Sequence, residues 1–278
     1  MYKTILVHVD ESSGSTQRIE LAARLAGKFE AHLVGAAPSG VSAYLFPVAG
    51  IDAGVPPIVF PIEEWRADAN RALDLFDKTA NGAGVNSFER RLIDDEAGYA
   101  VSLHARYSDL VVISQVNPDE FLPRLRADFP EYVLLNCARP VLVLPHSGPL
   151  REIGERVTVA WNGSAEAVRA ITSAIPLLKR AARVDLVVFR AADSADAHGE
   201  DPGADMALYL ARHGVKVKVS AADAGADDGD ALQSFAAEAG ADLIVMGAYG
   251  HSRFREFLLG GMTRSALRSS PMALWMSH

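Results

Sequence analysis

Asp242-Leu-Ile-Val-Met246, followed by Gly247-Ala-Tyr-Gly250-His-Ser-Arg-Phe-Arg-Glu-Phe-Leu-Leu-Gly260-Gly261-Met-Thr263, is the stretch on which the reading of this chain turns. The first five residues form an apolar run of the kind that lies buried in a parallel sheet. Thr263-Arg-Ser-Ala-Leu-Arg268 beyond it is helical in pattern, so the glycines sit in a loop between a strand and a helix. Such loops bind phosphate: backbone N–H groups point outward and the helix N-terminus carries partial positive charge. Glycine permits positive φ and close ligand approach. His251, Arg253 and Arg255 give the loop a positive bias, with Glu256 its one acid, in a chain of net charge −8. A tight turn carrying solvated charges is the plain alternative.

Working outward, the same order of elements occurs twice. Tyr2–Val9 reads as a strand followed by Asp10, and Arg156–Trp161 reads as a strand followed by Asn162. A helix follows each, through Ile19, Ala22, Ala23, Leu25 and Ala26 in one half and Val168, Ile171, Ile175 and Leu178 in the other. Ser108-Asp-Leu-Val-Val-Ile-Ser114 matches Ala241-Asp-Leu-Ile-Val-Met-Gly247, and Ala138–Leu144 matches Ser270–Met276 with proline on proline. A repeat of this length points to duplication. The matched positions lie 152 residues apart at Asp10 and Asn162 but 133 apart at Asp109 and Asp242, so the first half holds about 19 extra residues. The apolar insert between Pro38 and Pro61 accounts for that surplus, and it either packs on its own half or covers a pocket or interface.

Further helices are expected over 62–79, 99–106, 125–136, 206–213 and 231–239, and strands over 85–93 and 215–219. Alternation of this kind gives an α/β fold, here two tandem doubly wound parallel sheets with ligands at the strand carboxyl ends where strand order reverses. The turn-rich Pro145-His-Ser-Gly-Pro149 separates a first domain, 1–147, from a second, 152–278.

Composition bounds the function. With 49% hydrophobic and 22% charged residues, the chain has a globular core, and its acidic balance argues against nucleic acid as a partner. Cys137, the single cysteine, excludes an internal disulfide and a cysteine zinc cluster. The N-terminal apolar run is too short for a signal peptide, and Asp52 and several prolines interrupt the apolar 44–62 region, so a cytoplasmic, non-membrane protein is expected. His8 reads as a hydrogen-bonded core residue. The carboxylates at 223–230 read as a solvated run, and those at 193–201, with His198, as a weak metal candidate. Neither a Walker loop nor a Gly-x-Gly-x-x-Gly fingerprint occurs, and no nucleophile, base and orienting acid stand together.

Glycine, two residues, glycine, nine residues, glycine resembles the nucleotide loop of the universal stress protein family. The turns at Val9-Asp10 and Trp161-Asn162, the fourth strands and the proline-led fifth strands extend the resemblance over nearly the whole chain. It implies two five-stranded sheets in the order 3-2-1-4-5, as in the adenine nucleotide alpha hydrolase-like fold. It implies ATP or a related adenine nucleotide as cofactor, with Mg accompanying it. The implied role is a stress-response sensor or regulator and not an enzyme, with at most slow ATPase activity. A nucleotide-free scaffold acting through protein contacts is the alternative. The second half would supply Ala160, Trp161, Asn162, Met246, Gly247, Gly250, His251, Arg253, Gly260, Gly261, Met262 and Thr263. Gly261 departs from the family's Ser or Thr, and Asn162 from its frequent Asp. In the first half Ser114 replaces the first glycine, and Gln115–Pro123 contains none, so that half is expected to bind no triphosphate. The fifth strands are expected to pair as an intrachain pseudo-dimer, and the chain to form a homodimer.

Overall fold

A computed structural model describes residues 1–40, 61–120, 122, 124–148, 152–190, 203–223, 228–249 and 262–278. The chain divides into two compact units, Met1–Arg139 and Pro140–His278.

In the first unit the elements run β1 (Thr4–His8), α1 (Ser15–Phe29), β2 (His32–Pro38), α2 (Ile62–Gly82), β3 (Phe88–Ile93), α3 (Ala97–Ala105), β4 (Leu110–Ser114) and α4 (Phe129–Asn136). The strands are parallel, in the order β3-β2-β1-β4. Ile5, Leu6, Val7 and Leu110 to Ile113 are fully buried, which is why both central strands read as unbroken apolar runs. Each such side chain contributes roughly 1.5–3 kcal/mol relative to exposure. Gly35 in β2 admits Phe76 of α2 so closely that a Cβ would lie 2.7 Å from its ring.

The second unit contains β5 (Val141–Leu144), β6 (Arg156–Trp161), α5 (Ala165–Leu178), β7 (Arg183–Arg190), α6 (Ala204–Arg212), β8 (Val217–Asp223), α7 (Asp228–Glu238), β9 (Leu243–Gly247), α8 (Met262–Ser269) and β10 (Ala273–Ser277). Its parallel strands follow the order β8-β7-β6-β9-β10, which is the expected 3-2-1-4-5. The two fifth strands meet here: β5 pairs antiparallel with β10, with Trp275 opposite Leu142. Trp275 is fully buried, and its indole N–H donates to Ser173 Oγ over 3.0 Å.

One polar device recurs. Asp109, ahead of β4, accepts from the backbone N–H groups of Lys3 and Thr4 at 2.6 and 3.0 Å. Asp242, ahead of β9, accepts from Gly154, Glu155 and Arg156 at 2.6, 3.0 and 2.9 Å. Each aspartate clips the N-terminal end of the central strand beside it, using donors that the sheet ladder leaves unpaired.

Two expectations need adjustment. The helix expected over 125–136 begins only at Phe129, because Pro130 lacks an N–H and fits only the first turn. The strand expected over 215–219 runs instead over Val217–Asp223. The insert at 41–60 and the carboxylates at 193–201 lie outside the described residues.

Candidate functional site

In the second unit β6 lies between β7 and β9, so strand order reverses at its carboxyl end, where a ligand crevice is expected. Half-buried Ala160 and Trp161 close β6, and Asn162 follows, exposed. The Asn162 side-chain oxygen accepts from the Ser164 N–H at 3.1 Å, forming a local turn. Ser164 then caps α5, its Oγ accepting from the Ala167 N–H at 3.1 Å. This turn delivers the positive end of α5 to the mouth of the crevice.

Buried Met246 and then Gly247 end the neighbouring β9. A Cβ on Gly247 would lie 2.5 Å from the Ala167 backbone nitrogen and 2.7 Å from the Glu166 carbonyl carbon. No side chain fits that gap, so a glycine is needed for packing whether or not a ligand binds. Tyr249 adopts φ +53°, and its N–H donates to Thr263 Oγ1 at 3.4 Å, joining the end of β9 to the first turn of α8. Thr263 is buried, and Met262 beside it is half-buried. The predicted residues Ala160, Trp161, Asn162, Met246 and Gly247 thus stand at the carboxyl ends of adjacent strands, and Met262 and Thr263 open the helix that follows. Gly250, His251, Arg253, Gly260 and Gly261 lie outside the described residues.

The first unit carries different chemistry at the same place. Arg18 of α1 is 2% exposed, and Ala170 is its counterpart in the second half. Its guanidinium donates to Asp10 Oδ1 at 2.6 Å, Ser114 Oγ at 3.0 Å and the His8 carbonyl at 2.6 Å. Burial alone would raise the Asp10 carboxyl's pKa. Arg18, His8 and the Ser12 hydroxyl outweigh that and hold it well below the usual carboxylate range. His8 is buried beside it, its Nδ1 3.6 Å from Asp10 Oδ2 and its ring packed on Phe129. Burial lowers its pKa to about 4, against a smaller upward pull from Asp10.

A second acid faces the start of α1. Glu120 accepts from the Ser13 N–H at 2.9 Å and the Ser13 hydroxyl at 2.8 Å. An internal carboxylate therefore holds donors next to a helix N-terminus, where a phosphate would otherwise be drawn. The sequence reading missed Arg18. The signal lay in its spacing, since Arg18, Ala22, Leu25 and Phe29 share one helical face, and an arginine among apolar partners on such a face is buried and paired.

Among the described residues, no group of three or more His, Cys, Asp or Glu side chains is placed to hold a metal. No helix among them is long and apolar enough to cross a membrane. Cys137 is buried, its thiol pushed up by burial while it donates to the Arg139 carbonyl.

A family model described as the universal stress protein family matches residues 1–145 and again 154–278. A search of curated proteins gives no match. Among solved structures, a universal stress protein from Archaeoglobus fulgidus DSM 4304 is similar, at 19% identity and TM-score 0.72, covering 99% of this chain and 95% of that one. A putative universal stress protein from Pseudomonas aeruginosa UCBPP-PA14 is similar at 13% identity and TM-score 0.63, covering 99% and 93%. At these identities the likeness concerns the fold. The family match, by contrast, spans both halves and takes in the strand ends that carry Asp10, Asn162, Ser114 and Gly247, so the chain belongs to the universal stress protein family as a tandem member.

Proposed function

We propose that the second unit binds an adenine nucleotide at the carboxyl ends of β6 and β9, and that the protein acts as a stress-response sensor or regulator in the cytoplasm. The observation that carries this reading is the reversal of strand order at β6, which puts Asn162 and the N-terminus of α5 beside the end of β9, a favourable setting for an anion.

Asn162 offers hydrogen bonds but no charge to a metal ion, so any Mg would arrive on the nucleotide's phosphates. Gly261 removes a hydroxyl that a phosphate would use, at a cost of roughly 0.5–1.5 kcal/mol. We therefore read the site as a binding site of moderate strength and not as a catalytic one. In the first unit, Glu120 and the Asp10-paired guanidinium of Arg18 work against a triphosphate.

The test is direct. The purified full chain is denatured, the extract is chromatographed, and the protein is titrated calorimetrically with ATP, ADP and AMP. Co-purifying or titrating adenine nucleotide at one site per chain is expected. Absence of both overturns the reading in favour of a scaffold that acts through protein contacts. Light scattering on the same sample tests for the homodimer, which we also propose; a monomer mass would refute it.

A further inference from the structure

The first unit contains a cavity of about 280 Å³ beside the carboxyl ends of β1 and β2. That is close to the lower end of small-molecule sites, roughly 300 Å³. Its apolar wall is built from short side chains, Ala69 and Ala72 of α2 and Ala97 of α3, with Leu122 and Leu125 also lining it. The ionised groups in its lining are already matched. Asp10 pairs with Arg18 at 2.6 Å, and Asp68 pairs with Arg124 at 2.8 Å and Arg71 at 2.5 Å. Glu11 pairs with Arg71 at 3.1 Å. An anionic ligand would have to displace a carboxylate from its arginine, and a cationic one would have to displace an arginine from its carboxylate.

Two atoms in this lining remain unused. Nη1 of Arg124 and Oδ2 of Asp10 are buried and have no hydrogen-bond partner. Leaving such groups unsatisfied is costly, more so when they are charged, so a ligand that reaches them gains what the site alone lacks. One is a donor and the other an acceptor. Gly40, at φ +101°, holds the Arg124 stem in place, since a Cβ there would lie 2.7 Å from Arg124 Cβ.

We propose that this cavity is a second ligand site, selective for an uncharged flat ring carrying a carboxamide or lactam. The carbonyl oxygen accepts from Arg124 Nη1, the amide N–H donates to Asp10 Oδ2, and the ring lies on the alanine wall. No phosphate takes part, so the site is independent of the nucleotide site in the second unit and stands whether or not that site is occupied.

Three isosteric probes separate charge from shape: benzamide, benzoate and benzamidine. Each is titrated against the full chain, followed by saturation-transfer NMR and by Trp65 fluorescence, the Trp65 ring centroid being 5.9 Å from the Arg124 guanidinium carbon. Benzamide is expected to bind at least about tenfold more tightly than either ion, a difference of one hydrogen bond to a charged group or more. Arg124→Met should weaken benzamide by roughly tenfold. Ala72→Leu, which leaves both polar groups in place, should abolish binding by filling the cavity. Circular dichroism melting confirms that each variant is folded. Equal or better binding of benzoate or benzamidine overturns the proposal. So does a wild-type protein that ignores benzamide, or benzamide binding that survives Ala72→Leu in a folded protein.

Discussion

Gly247 sits so close to the start of α5 that a Cβ on it would lie 2.5 Å from the backbone nitrogen of Ala167. The contact is with backbone, which has no rotamer by which to escape. Gly247→Ala should therefore push α5 away from β9 and cost roughly 1–3 kcal/mol, the usual range for overpacking. Urea denaturation of the full chain checks this, and an unchanged midpoint would refute it. At the matching position Ser114→Gly removes only an acceptor from Arg18 and should cost less.

Arg18 and its partners form one unit, so their substitutions should not add. Arg18→Met strands the Asp10 carboxylate and should cost roughly 3–5 kcal/mol. Combining Arg18→Ala, Asp10→Asn and Ser114→Gly recreates the composition of the second half at Ala170, Asn162 and Gly247. That triple variant should be more stable than the sum of its single changes predicts. Strict additivity in denaturation midpoints would show that the cluster is not coupled.

His8 makes stability depend on pH. Its folded pKa is about 4, below its unfolded value of 6.5, so the unfolded state takes up the proton first as pH falls. The contribution of neutral His8 is complete above the unfolded value and is lost on going down through 6.5 to 4. It amounts to about 3 kcal/mol. Wild type should lose stability across this window, and His8→Gln should flatten the loss while leaving the further drop at lower pH, where Asp10 becomes protonated. Parallel curves for both proteins would refute the assignment.

Nucleotide affinity should respond to the loop beyond Gly247. Gly261→Ser adds a hydroxyl near the start of α8 and should raise ATP affinity by about 0.5–1.5 kcal/mol. Gly260→Val should lower it sharply, because a branched side chain there resists close approach of an anion. Calorimetry with melting temperature as control decides. If neither substitution changes affinity, the loop is only a turn.

The central strands were legible in the sequence because burial on both faces turned them into apolar runs, as at Ile5–Val7 and Leu243–Val245. Helix ends were less so: the apolar pattern of 125–136 ran on past the proline that delays the start of α4. In the second unit the sequence placed Asn162 and Gly247 at the carboxyl ends of β6 and β9, since each follows an apolar run directly. It did not reveal that Gly247 is demanded by α5, because that contact joins residues 80 positions apart. Arg18 stayed hidden for a similar reason: its partners come from three separate elements, and charge alone suggests solvent.

The clips made by Asp109 and Asp242 bear on how the protein is synthesised. Lys3 and Thr4 leave the ribosome more than 100 residues before the aspartate that secures them. Until then β1, the middle of its unit, has only β2 and β3 on one flank and presents a bare apolar edge on the other. Such an edge invites pairing with another chain. Each half thus passes through an exposed interval that closes only when its fourth strand emerges, and long-range closure of this kind is slow. The burden falls most heavily on the first half, whose insert lengthens the wait by about 19 residues. Slowing elongation while β1 is outside the ribosome and β4 is still inside it should then raise the aggregated fraction, whereas the same delay placed after β4 has emerged and before β6 has should not.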